Sequence, residues 1–307
     1  MKEVYTFEEL TDWKRVTADE NPPLRLAVLG DPVAHSASPP MHNAALAACG
    51  IDARYCRLHV QADELEEALQ LLWEKGFIGV NCTIPHKLNA LAAVDDADED
   101  ANRAGGVNTI VVGPGGRLKG SSTDGAGLVR ALKEEFDVEL QDLRVLVLGA
   151  GGGAGRAVAK QCAYSGARRL ILINRSPEKL QPLHDTIVET YPRERLFVCP
   201  WEEPALAAAL DHADLVVNCS SVGMKPGDPS PIPAALLSRT HLLFDTIYTA
   251  ERTPLMLAAD TVGARSANGL SMLLHQGALS FEKWFDRPAP VEAMRQALLE
   301  SMARRRE

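Results

Sequence analysis

The stretch Leu143–Ala163, LRVLVLGAGGGAGRAVAKQCA, decides the fold. Its opening LRVLVL is a short apolar run, the pattern of a strand buried on both faces. A run of glycine and alanine follows, and then a segment with helical periodicity. Gly149, Gly151 and Ala154 fall on the G-x-G-x-x-G/A spacing, after a strand and before a helix, which is the context that motif requires. Glycine there permits a tight turn and lets main-chain N–H groups approach a pyrophosphate at the helix N-terminus. Gly149, Ala150, Gly151, Gly152, Gly153 and Ala154 are therefore the candidate cofactor-binding turn. A merely flexible turn is the plain alternative, and the surroundings argue against it. Four more apolar strands follow (RRLILINR, RLFVCPW, DLVVNCSS, HLLFDTIY), separated by helical segments. That is the rhythm of a doubly wound nucleotide-binding domain.

The second strand of this series ends in Asn174-Arg175-Ser176, about twenty residues past the glycines. An acidic residue at that point would bind the ribose 2′-hydroxyl of NAD. Arg175 instead suits a 2′-phosphate, so NADP is the expected cofactor. An arginine capping an exposed strand end is the competing explanation.

Upstream, the strand LRLAVLG leads into GDPVAHSASPPMHNAAL, Gly30–Leu46, a corner with two serines and two histidines. Ser38 reads as the N-cap of a helix with prolines in its first turn. RYCRLHV (strand), DELEEALQLLWEKG (helix capped by Gly76), FIGVNCTI (strand) and a hairpin around GPGG complete a smaller α/β unit of mostly parallel character. Residues 1–23 read as a polar extension with a short surface helix. After ARSANG, LSMLLHQGALSFEKWF and VEAMRQALLESMARRR read as two amphipathic helices that return to the first domain. The expected division is thus 1–23, an extension; 24–123 with 268–307, one domain; and 124–267, the nucleotide domain.

Polar side chains gather at the ends of the first domain's elements: Asn81, Thr83 and Lys87 in VNCTIPHK, Asn108 in GGVNT and Asp124 in STDGAG. In open parallel sheets, ligands bind outside the carboxyl ends of the strands. Singly, each has a plain explanation: Asp124 as an N-cap, Asn108 as a turn former, Lys87 as a solvated head. Their bordering one face weighs against that.

A formal charge of −9 argues against nucleic acid or an anionic membrane as partner. The C-terminal RRRE reads as a solvated helix end. Six cysteines without metal or C-x-x-C spacing (Cys49, Cys56, Cys82, Cys162, Cys199, Cys219) fit a reduced cytoplasmic protein, and the histidines do not cluster as metal ligands. The opening is too charged for a signal peptide, and no apolar run reaches transmembrane length.

In order along the chain, GDPVAHSASPPMHN, VNCTIPHK, GGVNT, STDGAG, GAGGGAGRA, NRS, NCSSVGM, DTIYTAERTPL and NGLSMLLHQGA resemble the successive motifs of the shikimate dehydrogenase family, over roughly residues 26–285. The resemblance implies an N-terminal α/β catalytic domain completed by C-terminal helices, plus a Rossmann NADP-binding domain. It also implies NADPH-dependent reduction of 3-dehydroshikimate to shikimate, a step of aromatic amino acid biosynthesis. By the same resemblance, Ser36 and Ser38 match a carboxylate-binding pair, assisted by Thr83 and Tyr248. Asn81, Asn108 and Gln276 match side chains that hold ring hydroxyls, and Lys87 and Asp124 match the catalytic pair. Ser220 matches a position near the nicotinamide ribose, and Gly269 and Met272 positions near the nicotinamide. His35 is expected to brace its turn. Departures from the family pattern are Ser122 for Asn, Cys82 for Val, Gly106 for Ala, Ser271 for Gly, and a glycine turn one residue longer than usual.

Ketone reduction needs a hydride and a proton for the developing alkoxide. Lys87 as an ammonium can supply that proton, with Asp124 orienting it. Oxidation needs the lysine neutral and is expected to be fastest at alkaline pH. Alternatives are a quinate/shikimate dehydrogenase with NAD use and a non-catalytic sensor on the same fold. A sensor has no need of both Lys87 and Asp124. The expected partners are a small-molecule substrate and, at most, a second copy of the chain.

Overall fold

The computed structural model describes residues 2–225, 227–249 and 251–304. Of the basic C-terminus only Arg304 is among them; Arg305, Arg306 and Glu307 lie outside, as does Ala250 of the DTIYTAERTPL motif. Two compact units emerge, Met1–Thr123 with Leu274–Glu307, and Asp124–Leu273. Among the described residues no helix is long and apolar enough to cross a membrane, and no cluster of side chains could hold a metal ion.

The first unit runs β1 (Tyr5–Thr6), α1 (Phe7–Thr11), α2 (Trp13–Val16), β2 (Leu24–Gly30), α3 (Ser38–Ala48), β3 (Arg54–His59), α4 (Leu65–Leu71), β4 (Gly79–Cys82), α5 (Lys87–Ala93), β5 (Asp96–Ala97), α6 (Glu99–Ala104), β6 (Thr109–Val112) and β7 (Leu118–Ser121). Its seven-stranded sheet has the order β1-β3-β2-β4-β6-β7-β5. β1, β3, β2 and β4 pair in parallel, whereas β6 runs antiparallel to both β4 and β7. The parallel strands β2 and β4 therefore end side by side, and their following loops meet.

The second unit runs α7 (Asp124–Phe136), β8 (Arg144–Leu148), α8 (Gly153–Tyr164), β9 (Arg169–Asn174), α9 (Gln181–Ile187), β10 (Leu196–Pro200), α10 (Glu203–Leu210), β11 (Leu215–Asn218), β12 (Leu242–Asp245), α11 (Pro254–Val262) and β13 (Arg265–Asn268). The sheet order is β10-β9-β8-β11-β12-β13, parallel throughout. Order reverses beside β8, which places the topological switch point at its carboxyl end, where the glycine turn lies. One apolar layer, including Leu128, Val145, Val147, Val158 and Phe244, covers one sheet face, and another, including Leu146, Leu148, Leu206, Leu243 and Leu255, covers the other.

α12 (Leu270–Phe285) and α13 (Val291–Arg304) end the chain. The Trp284 indole of α12 lies over Gly79 of β4, where an added Cβ would stand 2.3 Å from Nε1, and donates to the Ile110 carbonyl at 2.9 Å. That close approach fastens α12 to the first sheet.

Three local expectations are corrected. Residues 1–23 are more than a surface helix: β1 pairs with β3, and Tyr5, Leu10 and Trp13 lie in the first unit's core. A two-residue strand is set by its partner and leaves no periodicity to read. ARSANG holds strand β13, whose polar sequence suits its edge position beside β12. Ser38 is the first residue of α3 and makes no cap; the Ser36 hydroxyl accepts from the Ser38 N–H at 3.3 Å.

Candidate active site and nucleotide site

In the first unit, the loops after β2 and β4 are laced together. Thr83 N–H donates to the Leu29 carbonyl at 2.9 Å and Asp31 N–H to the Ile84 carbonyl at 3.0 Å. An added Cβ on Gly30 would meet the Thr83 methyl at 2.5 Å, so only glycine lets Thr83 lie against the start of the serine loop. Ser36 is half-buried and Ser38 buried at the N-terminus of α3. The Arg57 guanidinium grips the Ser36 carbonyl through two N–H groups, at 2.7 and 3.1 Å. Arg57 therefore braces this turn, while His35 is exposed. A helix N-terminus with two hydroxyls is suited to a carboxylate.

Lys87 is half-buried in the first position of α5. The preceding His86 is fully buried and donates from Nε2 to the Val60 carbonyl at 2.8 Å; burial pushes its imidazole pKa down, which keeps it neutral. The Lys87 carbonyl accepts from Val107 N–H at 2.8 Å, and a Cβ at Gly106 would press on it at 3.3 Å. The family's usual alanine at 106 would thus crowd the lysine's own backbone here.

Asn81, Asn108 and Gln276 are brought together by a buried network of hydroxyls and amides. Asn108 Oδ1 accepts from Thr123 N–H and from the Thr109 hydroxyl, both at 2.9 Å. Its Nδ2 donates to the Thr123 hydroxyl at 2.9 Å and to Gln276 Oε1 at 3.4 Å. Asn81 Nδ2 reaches the Asn108 carbonyl at 3.0 Å, the Thr109 hydroxyl at 3.2 Å and the Ser280 hydroxyl at 3.0 Å. Its Oδ1 accepts from the Tyr55 hydroxyl at 2.7 Å. The Asn81 carboxamide is thus occupied from inside, and it supports Asn108 rather than facing outward. Buried polar groups carry a large desolvation cost unless paired, so such a network persists because nearly every member is satisfied.

In the second unit, the glycine turn makes the close approaches its sequence implies, with one reassignment. Gly149 has φ +76°, and a Cβ there would stand 2.8 Å from Ser220 N. A Cβ on Gly151 would stand 2.8 Å from Asn174 Nδ2, whereas Gly153 faces open space. The tight helix–strand contact belongs to Gly155, whose Cβ would meet the Gly149 carbonyl at 2.2 Å, while Ala154 is exposed. The extra residue in the turn moves the motif's third position from Ala154 to Gly155.

A cavity of about 280 Å³ is lined by this turn and by Asn174, Arg175, Ser176, Lys179, Trp201 and Ser220. Asn174 accepts from Gly151 N–H at 3.3 Å and donates to the Ser176 carbonyl at 3.0 Å, stitching the turn to the end of β9. The Arg175 guanidinium lies 5.4 Å from the Trp201 ring centre. Ser220 donates to Asn218 Oδ1 at 2.7 Å, and Asn218 in turn donates to Asp245 at 2.9 Å. Gly269 is held by the Thr246 carbonyl, which a Cβ would meet at 2.2 Å. Met272 is half-buried and packs on this unit's core, while the Ser271 hydroxyl is buried without a hydrogen-bond partner among the described residues. Tyr248 follows β12, and Asp124 opens α7 directly after Thr123; both are half-buried. Lys179 and Trp201 were not singled out from the sequence. A second cation four residues after Arg175 was the available signal for the first, and nothing marked the second.

Three family models match the chain: the shikimate dehydrogenase substrate-binding domain over residues 28–110, shikimate/quinate 5-dehydrogenase over 130–224, and the shikimate 5′-dehydrogenase C-terminal domain over 269–299. Shikimate dehydrogenase (NADP(+)) of Symbiobacterium thermophilum is 42% identical over 291 residues, covering 94% of this chain and 98% of that protein. The shikimate dehydrogenase of Thermus thermophilus, solved with NADP(H) and shikimate, gives a TM-score of 0.80 at 36% identity, over 91% of this chain and 99% of that one. Quinate dehydrogenase of Corynebacterium glutamicum, solved with NAD, gives 0.82 at 26% identity, over 91% and 99%. The chain belongs to the shikimate dehydrogenase family.

Proposed function

We propose that this protein is an NADP-dependent oxidoreductase that interconverts 3-dehydroshikimate and shikimate, a step of aromatic amino acid biosynthesis. The observation that carries the reading is the buried network that fixes the Asn108 and Gln276 amides in the same unit as the Ser36–Ser38 pair. Amides held for ring hydroxyls and hydroxyls held for a carboxylate together fit a polyhydroxylated ring acid.

Ser36 and Ser38, with Thr83 and Tyr248, receive the carboxylate. Asn108 and Gln276 bind the ring hydroxyls, and Asn81 holds Asn108 in place. For the dinucleotide, the N–H groups of the turn Gly149–Gly153 suit a pyrophosphate at the N-terminus of α8. Gly153 leaves the room this needs. Arg175, Ser176 and Lys179 suit the 2′-phosphate, and Ser220, Gly269 and Met272 the nicotinamide end. When bound, NADPH supplies a hydride. Lys87 gives its Nζ proton to the oxygen of the reduced carbonyl, and its positive charge stabilises the alkoxide as it forms. Asp124 is the second member of this catalytic pair. We place the enzyme in the cytoplasm as a monomer or homodimer, where the six cysteines stay thiols.

Initial rates with shikimate and quinate, each with NADP and NAD, test the reading. The shikimate–NADP pair should be fastest. A preference for quinate with NAD would move the assignment to a quinate dehydrogenase, and no turnover with either acid would leave a ligand sensor.

A further inference from the structure

Strand β3 contributes one side chain that the mechanism above does not use. Tyr55 is fully buried. Its ring stacks on His42, centroids 4.5 Å apart at 16°, and lies 6.0 Å from Trp284. Asn43 of α3 clamps its backbone, donating to the Tyr55 carbonyl at 3.0 Å and accepting from the Tyr55 N–H at 2.8 Å. Ring and main chain are therefore fixed from both sides.

The phenol oxygen lies between two parts of the substrate site. It donates to Asn81 Oδ1 at 2.7 Å, while the ring's stack on His42 and the Asn43 clamp tie the residue to α3, whose first residue is Ser38. Burial pushes the phenol pKa far up, so it remains a protonated donor. That donation fixes which way the Asn81 amide faces: Oδ1 toward Tyr55, Nδ2 toward the Asn108 carbonyl and the Thr109 and Ser280 hydroxyls. A core tyrosine needs one partner for its hydroxyl. This one's partner is Asn81, and its ring and main chain meet α3, so its two attachments lead to different ends of the proposed ligand.

We propose that Tyr55 is a positioning residue that sets the spacing between the hydroxyl pair receiving the substrate carboxylate and the amides reading its ring hydroxyls. The assignment rests on the substrate reading given above. Through His42 and Asn43 it holds α3, which opens with Ser38; through Asn81 it holds Asn108.

Tyr55→Phe removes one oxygen and keeps the stacked ring. The KM for shikimate should rise about tenfold, the usual effect of losing one buried hydrogen bond and stranding its partner. KM for NADP should stay within twofold. A merely structural tyrosine would lower the melting temperature and leave the shikimate KM unchanged, and that result would overturn the proposal. Combining Tyr55→Phe with Asn81→Ala should cost less than the product of the two single penalties, because linked residues couple; a simple product would count against the link. As a check independent of variant folding, 3-fluorotyrosine at position 55 should shift its ¹⁹F resonance on adding shikimate and not on adding NADP alone. A resonance indifferent to shikimate in an active enzyme would also overturn the proposal. A wild type without shikimate turnover would instead overturn the functional reading on which it rests.

Discussion

Replacing Arg175 by alanine should separate the two nicotinamide cofactors. The guanidinium stands exposed at the end of β9, 5.4 Å over the Trp201 ring, on the wall of a cavity it shares with Ser176 and Lys179. A charge-assisted hydrogen bond to a phosphate is worth about 1.5–3 kcal/mol, which is roughly ten- to hundredfold in KM. Lys179 remains as a second cation on the same wall, so the single change should fall at the lower end, about tenfold for NADP. Removing Lys179 as well should approach a hundredfold. NAD has no 2′-phosphate, so its KM should change less than twofold. The wild-type preference for NADP should also narrow as salt rises, since exposed charges are screened. Because Arg175 is exposed, stability should change by no more than about 0.5 kcal/mol, and a thermal melt checks that. The assay is initial rate against each cofactor at saturating shikimate. If Arg175→Ala raises the KM for NAD as much as that for NADP, the side chain shapes the strand end and does not read the phosphate.

Ser36→Ala and Ser38→Ala should each raise the KM for shikimate several-fold, about 1 kcal/mol per hydrogen bond lost, with NADP binding intact. An analogue lacking the carboxylate should be nearly indifferent to both changes, and equal loss for that analogue would reduce the serines to turn formers. Burial lowers the His42 pKa from 6.5 to about 3, and among the described residues neither ring nitrogen has a hydrogen-bond partner. Between those values the unfolded chain binds one proton more than the folded one, so stability should fall as pH drops below 6.5, by about 1.4 kcal/mol per pH unit. His42→Phe should lessen that slope by about one proton's worth in urea unfolding between pH 7 and 4.5, leaving the share of buried His86; equal slopes in both proteins would place the titration elsewhere.

The second unit was legible in the sequence because its strands are continuous apolar runs, and a glycine turn between a strand and a helix has few other uses. The first unit was less so. β1 spans two residues and, in the second unit, the edge strand β13 is polar, so neither carries a period, and both exist through their partners. The residues proposed to touch ligand stand in recognisable clusters at element ends, such as Ser36, Ser38 and Lys87. Residues that hold them do not: Tyr55 and Arg57 alternate along an ordinary strand, and Ser280 sits in the middle of a helix. Their role appears only when the topology brings β3, β4 and α12 together. Ala154 was misplaced for another reason. A spacing rule counts residues, and the close contact that defines the third position fell one residue later, on Gly155.

The central claim is that Lys87 moves the proton in a shikimate–NADP reaction, and kcat for shikimate oxidation against pH, in wild type and Lys87→Ala, tests it most directly. The wild type should accelerate toward alkaline pH. The variant should be slower by roughly 10²–10⁴, the usual contribution of a positioned acid–base group, with that alkaline rise gone and NADP affinity kept. A variant with near wild-type kcat and the same pH profile would remove Lys87 from the chemistry.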